Sequence, residues 1–264
     1  MICRLTKIRE FDAMGGPGKP VKGSDGFMRT QTRAGRYVIA TIEKHVSSDR
    51  YGFWSGLPWG TPMRLSAKNI TEVKARGKWI PLTSVNAKWG TGARTQDKVT
   101  ETIRDYYKQL GYHGSFPDKW VFNDFGHNSI KYFVDTNHNW RKDGKEAVIG
   151  DFVHTTPGNE AQTFLGDTVK LDHSHGCIHL MPGDMDNLTG SGYAQPGTSL
   201  EVHPYTDLHI PTDTTRDPAR PGFEIHFFPG VDKMVIYQSE AMASVNDSTT
   251  NKRPASRDTL HRNH

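Results

Sequence analysis

The stretch Leu171-Asp172-His173-Ser174-His175-Gly176-Cys177-Ile178-His179-Leu180-Met181-Pro182-Gly183-Asp184 concentrates more chemistry than any other part of the chain. It sets a thiol, Cys177, directly after Gly176 and between His175 and His179, with Ser174 just upstream. A thiol is a useful nucleophile at neutral pH only when it is substantially thiolate, and a free cysteine titrates at about 8.5. A neighbouring imidazole can take the proton and pair with the resulting anion. Gly176 lets the backbone turn tightly, so that amide N–H groups near Cys177 can point at a developing oxyanion. Nucleophile, base and backbone donors are the parts a cysteine acyl-transfer site needs.

A second histidine, His154, ends a predicted strand in GDFVHTTPG (150–158), and 19 residues separate it from Ser174. His154-Thr155 followed by Ser174-His175-Gly176-Cys177 resembles the L,D-transpeptidase catalytic domain, the YkuD-like family. The resemblance covers roughly residues 36–205. Weaker matches are Gly60-Thr61-Pro62, a helix over Asp184–Leu188, and Gly197-Thr198-Ser199-Leu200-Glu201-Val202. The resemblance implies a mainly β fold with a few helices, a sandwich-like catalytic domain acting on peptidoglycan stem peptides. In that family the cysteine attacks the carbonyl of the L-centre of a diamino acid and releases the terminal D-alanine. An amine (transpeptidation or D-amino-acid exchange) or water (carboxypeptidation) then resolves the acyl-enzyme.

Carried over, Cys177 is the nucleophile, His154 the base, the Thr155 carbonyl orients His154, and His175 supports the site. Ser174, Gly176 and His179 fall where substrate or oxyanion contacts are made, and no cofactor is required. Two positions depart from the family pattern: His179 stands where Asn or Arg is usual, and Thr155 where Gly or Ser is usual. The family's opening hairpin is not evident before residue 36. The pattern FEIHFF-PG-VDKMVIYQ (223–238) resembles it instead, which would make a permuted arrangement.

Other chemistries compete for the same residues. His173, His175, Cys177 and His179 alternate, so on an extended strand they would share a face, and three His with one Cys can bind zinc. Residues i and i+6 of a straight strand nevertheless lie about 20 Å apart, which is poor for tetrahedral closure. The alternatives are therefore a Cys-His peptidoglycan endopeptidase and a non-enzymatic, zinc-stabilised binding module. Asp135, Asn137, Asn139 and Glu146 occupy positions 1, 3, 5 and 12 of a twelve-residue loop, with Asp143 at position 9. That spacing resembles a calcium loop of the EF-hand type, although Trp140 takes the place of the expected glycine. Without an ion, the same residues make a polar hairpin loop. His45, His113, His203, His209 and His226 read as ordinary surface or hydrogen-bonded histidines.

Composition bounds what the rest of the chain can do. With 264 residues, of which 34% are apolar and 26 are glycine, one large domain is expected, with much loop. No run approaches the roughly 18–20 apolar residues of a membrane span. Of the net charge of +4, residues 251–264 hold +3, with Lys252, Arg253, Arg257 and Arg262 against Asp258. The remainder carries no basic stripe, so nucleic acid is not expected as a partner. Cys3 and Cys177 cannot build a disulfide framework, and Cys3 has no evident role.

The opening MICRLTKIREFDAMGG lacks the 7–15-residue apolar stretch of a signal peptide. The expectation is synthesis in the cytoplasm and action in the periplasm or cell wall. That combination fits an antibacterial effector passed to a rival by a contractile, type VI-like secretion system, with an immunity protein as partner.

Along the chain, residues 1–35 read as an N-terminal segment ending in a Gly/Pro-rich linker. Residues 36–240 read as the catalytic domain and 241–264 as a polar, disordered tail. Strands are expected at 36–42, 120–123, 130–134, 148–154 and 199–203, with a hairpin at 223–238. Val99, Ile103, Tyr106, Tyr107 and Leu110 recur at helical spacing, which predicts a helix over 96–110 capped by Thr95. The aromatic run 51–62 reads as core cover, and 204–222, with four prolines, as loop.

Overall fold

The structure is a computed structural model, which describes residues 1–23, 26–43, 57–85, 96–110, 112, 114, 116–122 and 125–242. Thr95, residues 51–56 of the aromatic run, His45, His113 and the tail beyond residue 242 lie outside the described residues. Strand outweighs helix, 35% against 16%, so the chain is mainly β with a few helices.

The strands are β1 (Cys3–Met14), β2 (Val21–Lys22), β3 (Met28–Arg29), β4 (Gly35–Glu43), β5 (Met63–Leu65), β6 (Thr71–Ala75) and β7 (Lys78–Pro81). They continue as β8 (Ser129–Phe133), β9 (Val153–His154), β10 (Ile178–Leu180), β11 (Ser199–Val202), β12 (Asp213–Arg216), β13 (Gly222–Phe228) and β14 (Lys233–Ala241). The helices are α1 (Leu82–Val85), α2 (Gln96–Gln109), α3 (Pro157–Leu165) and α4 (Pro182–Gly190).

The main sheet runs β10-β9-β8-β4-β11-β13-β14-β1-β12, and a further pairing of β1 with β10 closes all but β12 into a ring. The strand period of two decides what fills it. In β13, Ile225 and Phe227 point into the ring, while Glu224, His226 and Phe228 point out; in β14, Met234 and Ile236 point in, while Val235 and Tyr237 point out. The interior adds Phe11, Ile39, Tyr132, Val153, Ile178, Leu200 and Val202, with Met185 and Leu188 of α4 packed against it. Outside, Leu5, Phe228, Val235 and Tyr237 form a smaller cluster beneath Ile210.

The N-terminal segment is not the appendage its composition suggested. Cys3–Met14 pairs along its length with β14, and its two ends pair with β12 and β10. A bulge between Lys7 and Arg9 shifts the register, so Leu5 faces outward while Phe11 and Ala13 face inward. That break in the alternation hides the strand in the sequence. The hairpin at 223–238 forms as expected, seated between β11 and β1.

Two other expectations are corrected. Residues 120–122 are buried but make no strand beyond a bridge at Lys119–Pro62. Trp120 and Phe122 instead fill a second core with Val73, Leu82, Val99 and Ile103. That core belongs to an insertion between β4 and β8, built on the β5-β6-β7 sheet and α2. Within the loop 204–222, Asp213–Arg216 forms β12, tied to β1 by Arg4 Nη2–Asp213 at 3.1 Å. The expected strand 148–154 is reduced to an isolated bridge at Val148 and the two-residue β9. Among the described residues, no helix is long and apolar enough to cross a membrane.

Candidate active site

β9 and β10 run parallel, with Ile178 opposite Val153 and His179 opposite His154. Ile178 and Val153 are fully buried in the ring interior. Alternation therefore turns Cys177, His179, Phe152 and His154 to the other face. The residues confirm that shared face: the His154 and His179 rings meet edge to face at 4.8 Å, and the Phe152 N–H donates to the Cys177 sulfur at 3.4 Å. Phe125 packs edge-on against His154 at 4.6 Å. Burial lowers the His179 pKa, so that ring is neutral at pH 7. Its Nδ1 lies 3.0 Å from the Asp172 carbonyl.

His154 is nearly fully buried, and its Nδ1 bonds the carbonyl of Thr155. Because a carbonyl only accepts, the proton sits on Nδ1 and Nε2 keeps its lone pair, which is the tautomer a general base needs. Thr155 is itself held: its hydroxyl donates to Glu160 at 2.7 Å. Glu160 lies in the first turn of α3, whose start is set by Thr156 accepting from the Asn159 N–H at 3.1 Å and by Pro157 at the first position. Glu160 also accepts the His127 N–H at 2.7 Å and bonds its Nδ1, while His127 Nε2 reaches Asp186 of α4 at 2.5 Å. Gly126 has φ +68°, and a Cβ there would meet Thr155 Oγ1 at 2.0 Å. Only glycine closes this knot.

Hydrogen bonds to Glu160 raise the His127 pKa from its usual 6.5. A raised histidine contributes stability that is fully present below the unfolded value and fades as pH climbs through the folded one. His127→Gln is therefore expected to narrow its stability deficit against wild type as pH rises from about 6 to about 9. Urea unfolding across that range measures it; a constant gap would mean that folding does not shift the His127 pKa.

The turn before β10 is built to present the sulfur. Gly176 has φ +125°, the Gly176 N–H donates to Ser174 Oγ at 3.0 Å, and Ser174 Oγ donates to the Cys177 carbonyl at 2.5 Å. The supposed linker supports it from below. The Ser174 N–H donates to the Gly15 carbonyl at 3.1 Å, Thr30 Oγ1 donates to the His175 carbonyl at 3.0 Å, and Thr32 Oγ1 lies 3.5 Å from the Cys177 carbonyl. Ser174→Ala removes two bonds from a buried hydroxyl and is expected to cost about 1–3 kcal/mol in unfolding free energy. Denaturant titration reads that loss directly.

Two cavities flank the 150–152 segment that carries the donor to Cys177. One, of about 1000 Å³, is lined by Gly150, Phe152, Lys131, Trp140 and Arg220; the other, of about 720 Å³, is lined by Thr30, Thr32, Arg33, Asp151 and Tyr205. Asp151 is paired with Arg33 at 2.9 Å.

The other expected residues scatter. His175 is exposed, with the Phe27 ring edge-on at 6.5 Å, so it stands outside the His154–Cys177 face. His173 Nδ1 lies 3.2 Å from the Gly15 carbonyl. Residues 173–177 are a turn and not a strand, so the four alternating residues do not share a face. The three-donor group found among the described residues is a different one, Glu201, His203 and His226.

In the loop after β8, Asp135 accepts the N–H groups of Asn139 and Trp140. Asn137 and Asn139 donate to Asp143, and Glu146 accepts from Thr136 and Asp143. Trp140 takes φ +65° where the calcium pattern has glycine. The loop thus closes on its own donors.

Sequence reasoning named Cys177, His154 and Thr155, which β9, β10 and the turns beside them bring together, but passed over Glu160 and His127, which carry no motif of their own; the signal available was the Thr-x-x-Asn cap that fixes α3. No family model matches the chain, and neither a curated protein nor a solved structure is significantly similar to it.

Proposed function

We propose that the protein is a cysteine acyl-transferase acting on peptidoglycan stem peptides, of the L,D-transpeptidase and L,D-carboxypeptidase kind. The observation that carries this reading is the shared face of β9 and β10, with the His154 tautomer set by the Thr155 carbonyl. Cys177 attacks the carbonyl at the L-centre of the diamino acid, its proton passing to His154. His154 then returns the proton to the departing D-alanine amine. An incoming amine or water then resolves the thioester by the reverse path.

The test is mass spectrometry of tetrapeptide muropeptides incubated with the protein, with and without an added D-amino acid. Loss of D-alanine, or its exchange for the added amino acid, is expected. Tetrapeptides left intact while cross-linked dimers are cleaved would assign the site to an endopeptidase instead.

A further inference from the structure

On the opposite run of strands, two Glu-x-His pairs meet. Glu201 of β11 pairs in register with His226 of β13, and Glu224 precedes His226 by two. His203 directly follows β11, its N–H donating to the Phe227 carbonyl at 2.9 Å. Alternation sends Glu201, His203, Glu224 and His226 outward, away from Leu200, Val202, Ile225 and Phe227 in the ring. The His203 ring stacks on Phe228 at 3.9 Å and the His226 ring contacts Tyr237 at 4.7 Å, so both are held by packing. The following loop folds over them, with Tyr237 donating to the Pro211 carbonyl at 2.7 Å.

Both rings use one nitrogen on a carboxylate: His203 Nδ1 lies 3.2 Å from Asp207, and His226 Nε2 lies 3.3 Å from Glu224. The remaining two, His203 Nε2 and His226 Nδ1, face each other at 3.0 Å, a gap that either a shared proton or a metal ion can bridge. The Glu201 carboxylate completes the group, 4.0 Å from His226 Nδ1, and all three donor atoms lie within 4.8 Å of one another. A tetrahedral zinc with bonds of about 2.0–2.1 Å needs donors roughly 3.3–3.5 Å apart.

We propose that Glu201, His203 and His226 form a binding site for a divalent transition metal of the zinc type. Asp207 and Glu224 orient the two imidazoles from behind, the carboxylate–histidine–metal arrangement that fixes ligand tautomers. Arg216 contacts Glu201 and lies 3.4 Å from Glu224. Arg216 holds Glu201 through Oε2, the oxygen that also lies 4.0 Å from His226 Nδ1, so metal binding requires the guanidinium to move to the other oxygen or fully onto Glu224. The site is structural in position: it fastens β11, β13 and the loop carrying Asp207. It is independent of the proposed acyl transfer.

The full chain, stripped with EDTA and dialysed against low-micromolar zinc, is expected to retain one equivalent. Cobalt in its place is expected to give the strong visible bands of tetrahedral coordination. Glu201→Gln and the partly exposed His203→Ala are each expected to weaken zinc binding at least about tenfold, with circular dichroism showing that both variants fold. Cys177→Ala is expected to bind as wild type does. No retained zinc would overturn the site, leaving a proton on Glu224, whose pKa burial raises, to join the two rings. Loss of zinc in Cys177→Ala, or none in the Glu201 and His203 variants, would overturn it as well.

Discussion

Cys177→Ala is expected to abolish D-alanine release and exchange, a loss of at least about 10³-fold, because the covalent intermediate cannot form without the thiol. The effect on folding is expected to be small. Cys177 is only partly buried, and the Phe152 N–H donates to its sulfur over a long 3.4 Å. Unfolding free energy within about 1 kcal/mol of wild type is the expected companion result. Muropeptide turnover by the folded variant at the wild-type rate would sink the acyl-transfer reading, since no other described thiol faces that surface; Cys3 is buried at the far end of β1.

The second large effect is expected at His154. His154→Gln keeps a side chain of similar length but removes the proton acceptor, and general-base removal typically costs about 10²–10⁴-fold in turnover. A readout free of any assumption about substrate is alkylation of Cys177 by iodoacetamide, which follows thiolate content. At neutral pH the variant is expected to react at least about tenfold more slowly. Equal alkylation rates in variant and wild type would separate His154 from the thiol and remove its role as base. Because His154 is almost fully buried and bonded to the Thr155 carbonyl, some loss of stability is expected too. Turnover is therefore compared at a temperature where both proteins are folded.

The support for that base illustrates where one-dimensional reading stops. Thr155 was legible because it adjoins His154, but the residue that holds it, Glu160, is a helix residue whose second partner, His127, lies far away in the chain. Its carboxylate gathers the Thr155 hydroxyl and the His127 N–H, and His127 in turn reaches Asp186. None of these pairs is at a spacing that a motif records. The Ser174–Cys177 turn shows the same division. Gly176 announced the tight turn, whereas the Ser174 hydroxyl that closes it and its supports, Gly15, Thr30 and Thr32, from a stretch that reads as a tether, did not show.

What the amino-acid sequence determined by itself is local. The alternation in 223–238 places Ile225, Phe227, Met234 and Ile236 on one face, the period of 96–110 makes α2, and Ser174-His175-Gly176-Cys177 sets a thiol on a tight turn. Each depends on neighbours within a few residues, where side-chain direction follows backbone geometry. Tertiary structure decided the rest. It made a strand of Cys3–Met14, whose bulge breaks the pattern that would announce it, and an edge strand of Asp213–Arg216, which has no apolar face at all. It buried Trp120 and Phe122 without a ladder, and brought the Glu-x-His pairs of β11 and β13 together. In every such case the deciding partner is distant along the chain, and hydrogen-bond pairing and burial between distant segments leave no periodicity in either segment alone.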